Sequence, residues 1–482
     1  MIKSERLKTW FLIAVLSICG TASFASCASN EGNATEQSEI TAIADKVWAF
    51  SQTHPDVFTI NIRTMTEPTE GIAVSYAATQ NSYSCVPLVA SELSSSMRDQ
   101  LDKVVSHALQ HEGYVGGLYN GEDGLYYFDS TKLFPENDLK GAIQFGKENG
   151  QYSVFILSTY TEIPINGKVA EILDRGTILF GTTGDYRPLS FCEPKEQREQ
   201  SQTCFDSAAS LLRSAVSQPD GTYWGFDIDV ANEIARRLGV DIEFKKTSWP
   251  TLTADVLTEP QIFDLAIGGI TITDTRRETM LMSDGYLDNG KTILCRASEA
   301  DRYKSLADID KPEVTVMVNP GGLNEKFANE NLTHANIVVY QKNEEIPTLV
   351  AEGAADVMIT EITEAPYYVQ TDPRLAAPLL NAPFTHGEIG VLMQKGQEDL
   401  LQMVNNVICQ MKSDGSLRKL QEKYGLTFQK AQVIVSPDAM SGKFFSKRGS
   451  KVSRNPVLHQ PLHRRQCVWG NERRNEPSIT VF

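Results

Sequence analysis

Residues Val314–Lys326 read VTVMVNPGGLNEK. The β-branched run Val314, Thr315, Val316 and Val318 predicts a buried strand, Asn319-Pro320-Gly321-Gly322 breaks it, and the spacing from Leu323 to Asn331 predicts a helix. A strand feeding a glycine turn that opens a helix leaves the first helical N–H groups without intrahelical partners. Gly321 and Gly322 let a ligand approach the backbone, so the turn suits an anion such as a carboxylate. Taken alone, it is equally a plain connection between a strand and a helix.

The same rhythm extends upstream. Gly176–Thr183, Val240–Lys245 and Phe263–Ile267 read as strands and Phe226–Leu238 as a helix, an alternation that predicts an α/β fold with ligands at the carboxyl ends of a parallel sheet. The polar and aromatic candidates all come after strands: Tyr186 after the first, Trp249 after the second, Thr271 after the third, Asn319, Gly322 and Asn324 in the glycine turn, and Glu361 after the run Asp356–Ile359. Arg276 is the natural partner for a carboxylate, because its planar fork binds both oxygens, and Lys291 offers a second, point-like charge. Each of these residues singly could be a packing or solvated residue. Their shared placement at strand ends is what marks them.

Residues 38–163 predict a separate small α/β domain, with helices at Ser38–Ser51, Met97–Gln110 and Asn137–Lys147, strands between them, and a hairpin around Glu122-Asp123-Gly124. It shows no nucleophile–base pair, metal spacing or phosphate loop, and His107 and His111 read as solvated helix residues. Pro164–Lys168 reads as the linker between this domain and the longer α/β region that begins at residue 168. Before the small domain, Lys3, Arg6 and Lys8 precede an apolar run and small residues up to Cys27, a secretory signal layout over residues 1–27. Phe24-Ala25-Ser26-Cys27 fits either plain cleavage or a lipid anchor at Cys27, the sole membrane contact expected. Export favours a loop disulfide between Cys192 and Cys204 over free thiols, and no cysteine spacing suits a metal. The net charge of -16 is uneven: from Ala431 onward nine Lys/Arg stand against three acids, so the preceding body is acidic, which argues against nucleic acid as a partner. The tail, residues 431–482, is basic, lacks periodicity and reads as disordered.

Together, residues 168–428 resemble the type II periplasmic solute-binding proteins for amino acids, through Gly225-Phe226-Asp227-Ile228-Asp229, Phe263-Asp264, Thr271, Arg276 and Glu325-Lys326-Phe327. The resemblance implies two lobes, lobe 1 at about 168–291 and 394–428 and lobe 2 at about 292–393, crossing near Lys291–Cys295 and Glu388–Leu392. It is closer to the enzyme branch, the cyclohexadienyl dehydratase (arogenate/prephenate dehydratase) family, through Thr182–Pro188 (TTGDYRP), Thr247–Leu252 (TSWPTL), Asp288–Thr292 (DNGKT), Asn319–Phe327 and Met358–Ala365 (MITEITEA). That family implies Glu364 as general acid, Arg276 on a carboxylate, and Tyr186, Trp249, Lys291, Asn319 and Asn324 around the substrate, with no metal or organic cofactor. Three positions depart from it: Leu323 replaces a threonine, Glu361 an aspartate and Ile389 a lysine. The insertion from Cys192 to Asp220 is not explained by the resemblance.

Dehydration of prephenate or arogenate expels a ring hydroxyl and a carboxylate together, so a single proton donor suffices. If Glu361 and Glu364 both face a closed cleft, desolvation and mutual repulsion would keep one protonated. As an exposed first-turn residue, Glu364 would instead be ionised. The sequence supports two functions: a dehydratase acting on a small carboxylate, or a non-catalytic binding protein delivering an amino acid or other carboxylate to an ABC transporter.

Overall fold

The computed structural model describes residues 30–54, 57–77, 82–87, 94–120, 125–193, 216–218 and 221–427. The expected signal segment with Cys27, the tip of the Glu122–Gly124 hairpin, Cys204, most of the Cys192–Asp220 insertion and the basic tail lie outside these residues. Among the described residues no helix is long and apolar enough to cross a membrane.

The first part of the chain forms helix α1 (Asn30–Thr53), strands β1 (Val57–Asn61), β2 (Ile72–Ser75) and β3 (Ser82–Pro87), helix α2 (Ser95–Gln110), strands β4 (Tyr114–Asn120) and β5 (Leu125–Phe134), helix α3 (Leu139–Glu148), and strands β6 (Ser153–Ile156) and β7 (Thr161–Pro164). The strands make one sheet in the order β1-β4-β5-β2-β6-β7, with β3 also on β5, and its pairings are antiparallel. Helix α2 starts where the Ser94 side chain accepts from the Met97 N–H, and its apolar stripe, Leu101, Val104, Val105 and Ala108, packs into a core with Val47, Trp48, Phe58 and Phe128. His107 is less solvated than its sequence implied: its Nδ1 lies 2.7 Å from Ser130 Oγ and its ring stacks on His111 at 4.0 Å.

The expected linker is not a loose tether. Pro164 closes β7, Ile165 is buried and donates its N–H to Tyr152 O at 2.9 Å, and helix α4 (Lys168–Arg175) begins at once. Asn166-Gly167 marks a tight turn, and the flanking Ile163 and Ile165 tie it into the core.

Beyond α4 come β8 (Thr177–Thr182), β9 (Asp185–Tyr186), β10 (Ser190–Glu193), β11 (Val216–Gln218), β12 (Gly221–Trp224), α5 (Phe226–Leu238), β13 (Asp241–Lys246), α6 (Leu252–Val256), β14 (Leu265–Ala266), α7 (Asp274–Thr279), β15 (Met280–Met282) and β16 (Leu287–Asn289). The chain continues through β17 (Lys291–Arg296), α8 (Leu306–Ile309), β18 (Thr315–Val318), α9 (Leu323–Asn331), β19 (Asn336–Val339), α10 (Ile346–Ala351), β20 (Val357–Glu361), α11 (Ala365–Thr371), β21 (Leu375–Ala376), β22 (Gly387–Ile389), β23 (Leu392–Gln394), α12 (Glu398–Ser413) and α13 (Ser416–Lys423). Two sheets of matching plan result, β13-β8-β14-β23-β15 in lobe 1 and β19-β18-β20-β17-β21 in lobe 2. In each, the first three strands are parallel and the fourth is antiparallel to its neighbours. This is the two-lobed type II binding-protein architecture, with lobe 1 discontinuous because β23 returns to it from lobe 2.

The crossing itself falls slightly off the expected positions. The hinge is the β16–β22 pair, Leu287–Asn289 against Gly387–Ile389, whereas Lys291–Cys295 already lies in the lobe 2 sheet and Leu392 already pairs in the lobe 1 sheet. Both apolar runs continue into a buried sheet, so hydrophobicity alone does not mark where one lobe ends.

Candidate functional site

The carboxyl ends of both sheets face a narrow cleft that holds a small cavity of about 30 Å³. Its walls include Tyr186, Trp249, Thr271 and Arg276 from lobe 1, and Lys291, Asn319, Gly322, Asn324 and Glu361 from lobe 2. All nine expected binding residues therefore border one cavity. Gly269, Leu323 and Asn343 complete the lining.

Lys291 opens β17 and Glu361 closes β20, cross-strand partners in the antiparallel pair. Lys291 Nζ donates to Glu361 Oε1 and to Asn324 Oδ1, both at 2.6 Å, and both charged side chains are buried. Burial pushes the Glu361 carboxyl upward in pKa, but the Lys291 charge and donors on Lys291, Tyr186 and Asn289 outweigh it and hold Glu361 below the usual carboxylate value. Thr271 adds a longer contact to the same carboxylate, at 3.4 Å.

Glu364 behaves oppositely. It stands at the N-terminal boundary of α11 with no side-chain bond to the helix's free N–H groups, is fully buried, and is not among the residues that line the cavity. Its Oε1 accepts from Asn343 Nδ2 at 3.0 Å and its Oε2 from Thr360 Oγ1. Desolvation pushes its pKa up to about 8 despite these donors, with the nearby Glu361 and Asp185 adding to the rise. An ionised and a protonated carboxyl thus sit three residues apart, across the turn that joins β20 to α11. The exposed first-turn alternative does not hold.

Arg276 sits on α7, where Thr273 caps the helix, and its Nη1 donates to Thr271 O at 2.5 Å. Burial lowers its pKa and the Glu361 charge opposes that, so Arg276 is a desolvated cation facing the cavity. Tyr186 and Trp249 meet edge to face, with ring centroids 5.9 Å apart, and Trp249 Nε1 donates to Asp185 Oδ1 at 3.1 Å.

Three consecutive residues of lobe 1 tie the lobes shut. The Asp185 carbonyl accepts from Asn343 at 3.3 Å, Tyr186 OH donates to Glu361, and Arg187 Nη1 donates to Tyr367 OH at 3.0 Å. The TTGDYRP stretch is therefore a closure element as well as a wall.

The turn after β18 divides its labour between its glycines. Gly321, with φ +70°, faces Pro250 of lobe 1, and a Cβ placed there would stand 2.8 Å from the proline. Gly322 is the glycine on the cavity. The Gly321 N–H already donates to Glu325 Oε2 at 2.6 Å, so the turn is braced from within its own helix. Leu323 puts an apolar side chain on the cavity, and Ile389 is buried in the hinge beside Thr271.

Asn343 was not legible as a site residue. It stands in a polar stretch, Gln341–Glu345, that resembles any surface loop, and the signal was the short strand Asn336–Val339 before it. As a parallel neighbour of β18, that strand delivers the residues after it to the same cleft.

The chain matches the bacterial extracellular solute-binding proteins, family 3, over residues 213–427. It is 33% identical to the cyclohexadienyl dehydratase of Pseudomonas aeruginosa over 257 residues, 53% of this chain and 85% of that protein. It is 26% identical to an L-cystine-binding protein of Escherichia coli over 259 residues, 54% of this chain and 86% of the relative. The crystal structure of an ancestral amino acid-binding protein, described as a precursor of cyclohexadienyl dehydratase, is 36% identical, covers 54% of this chain and 99% of that one, and superposes with a TM-score of 0.45. With the identity to the dehydratase extending over most of that relative's length, the chain belongs to family 3 of the bacterial extracellular solute-binding proteins.

Proposed function

We propose that this protein is a cyclohexadienyl dehydratase, converting prephenate to phenylpyruvate or arogenate to phenylalanine, with residues 168–428 carrying the activity. The observation that carries this reading is Glu364, a fully buried carboxyl whose pKa is pushed up to about 8, so that it keeps its proton at neutral pH, beside a cavity whose own carboxylate is already neutralised by Lys291. In the reaction, the Glu364 proton goes to the ring hydroxyl and the C–O bond breaks, releasing water. The bond to the ring carboxylate breaks at the same time, and its electron pair completes the aromatic ring as CO₂ departs. Arg276 takes a substrate carboxylate, Trp249 and Tyr186 pack on the ring, and Lys291, Asn319, Gly322, Asn324, Thr271 and Glu361 complete the frame.

A second reading is favoured by one feature: the nine expected binding residues line the cavity while Glu364 stands behind Asn343. On that reading the protein is a non-catalytic binder of an amino acid or other carboxylate that serves an ABC transporter. An amino acid's ammonium would need Glu361, which Lys291 and Tyr186 already engage, so we favour the enzyme. Incubating the purified protein with prephenate, and separately with arogenate, and measuring phenylpyruvate absorbance in alkali and phenylalanine decides between the two. Tight binding without product would establish the binder.

The family is extracellular by description, and we propose that residues 1–27 direct export. Labelling expressed protein with a radioactive fatty acid, with Cys27→Ala as control, tests the lipid anchor.

A further inference from the structure

Asn343 is 3% exposed, in the short turn Asn343–Glu345 after β19. Its Nδ2 donates to Glu364 Oε1 at 3.0 Å and, across the cleft, to the Asp185 carbonyl at 3.3 Å. A backbone carbonyl can only accept, so this contact fixes which way the amide points. Its Oδ1 is then a buried acceptor with no hydrogen-bond partner in the protein, on a residue that lines the cavity. Buried acceptors are rarely left unmade, and a ligand in the cavity is the group placed to supply the missing donor. The cavity thus asks for two chemistries in one molecule, an anion for Arg276 and a donor for Asn343.

We propose that Asn343 is a positioning residue of this site: its Oδ1 accepts a hydrogen bond from a ring hydroxyl of the ligand and seats that hydroxyl beside the carboxyl of Glu364. The proposal rests on the dehydratase reading for the fate of the hydroxyl, and it narrows the substrate class to carboxylates bearing a hydroxyl on the ring. Since Asp185 belongs to lobe 1 and both Asn343 and Glu364 to lobe 2, the complete arrangement exists only in the closed cleft. Closure and alignment of the acid are then one event.

The test compares 4-hydroxycyclohexane-1-carboxylate with cyclohexane-1-carboxylate by titration calorimetry on the full chain. The wild type is expected to bind the hydroxylated probe about fivefold or more tightly, the worth of satisfying a buried acceptor. Asn343→Ala should reduce that ratio to under twofold, and Asn343→Leu, which fills the space without polar atoms, gives the same result should the alanine variant fail to fold by circular dichroism. In prephenate turnover, either variant should also move the alkaline fall of kcat to higher pH, because a donor to the ionised form of Glu364 is gone. A merely structural residue would depress turnover equally at all pH values. A wild-type ratio under twofold, including no measurable binding of either probe, overturns the proposal, as does a variant that keeps the ratio. A wild type that shows the preference but forms no phenylpyruvate or phenylalanine sinks the dehydratase reading instead and leaves the role of Asn343 in binding standing.

Discussion

At Glu364 the donors on Thr360 and Asn343 favour the charged carboxylate, yet burial overrides them and the pKa rises to about 8. Replacing it with glutamine keeps size and most hydrogen bonds but removes the transferable proton. For Glu364→Gln, kcat should fall about 10²–10⁴-fold while ligand affinity changes little, and a variant with near wild-type turnover would end its assignment as the acid. Wild-type kcat should decline as pH rises through about 8, where the acid ionises. Stability carries the same signature. The folded carboxyl keeps its proton between its ordinary value of 4.5 and about 8 while the unfolded one loses it, so stability is whole below the former and is lost progressively as pH rises to the latter. The glutamine variant lacks this loss, so its melting temperature should exceed that of the wild type by more at pH 9 than at pH 5. Equal differences at the two values would mean that Glu364 is not held neutral. Arg276→Ala, by contrast, should act on binding: loss of a desolvated charged partner weakens substrate affinity by roughly 2–5 kcal/mol, and a KM within about twofold of wild type would exclude Arg276 from the carboxylate site.

The turn between β18 and α9 shows what an element can disclose from its sequence. Its strand, break and helix were readable because β-branched residues, Pro-Gly-Gly and helical spacing are local signals, and helix Leu323–Asn331 lies where the spacing put it. What Gly321 faces was not readable, since Pro250 meets it from another lobe and only closure brings the two together. The hinge and the role of Asn343 were hidden for the same reason: each depends on which segments pair across long separations in the chain. The arrangement of Gly321 gives an element-scale prediction. Gly321→Ala forces a side chain into a left-handed backbone and against Pro250, so the lobes should close less readily and prephenate affinity should drop about tenfold or more. Gly322→Ala should be milder, because its φ of -96° is ordinary and the nearest atom is the Asn319 side-chain amide at 3.1 Å rather than a backbone or ring atom at 2.8 Å. Calorimetry on both variants, with small-angle scattering to follow compaction, would refute this if the two lost affinity equally.

On the scale of the whole molecule, the question is what residues 38–163 add to the two lobes that follow them. Their sheet ends at β7, and Asn406 of α12 donates to Thr161 Oγ1 at 2.6 Å, while Asp399 at the start of α12 caps the Val169 N–H of α4 at 2.8 Å. Helix α12 belongs to lobe 1, and its inward face, Leu400, Val404, Val407 and Ile408, is buried. The first domain is thus seated on lobe 1 through a short, buried junction, and the contacts that tie lobe 1 to lobe 2, at Asp185, Tyr186 and Arg187, lie elsewhere. A chain shortened to begin at Gly167 should therefore lose the Thr161–Asn406 bond and the packing of β7 against α12 and melt lower, by about 5 °C or more if a few kcal/mol of burial is lost. Its KM for prephenate should stay within about twofold, because no cavity residue comes from the removed part. An unchanged melting temperature would mean that the junction contributes no stability, and a large change in KM would mean that the first domain takes part in closing the cleft.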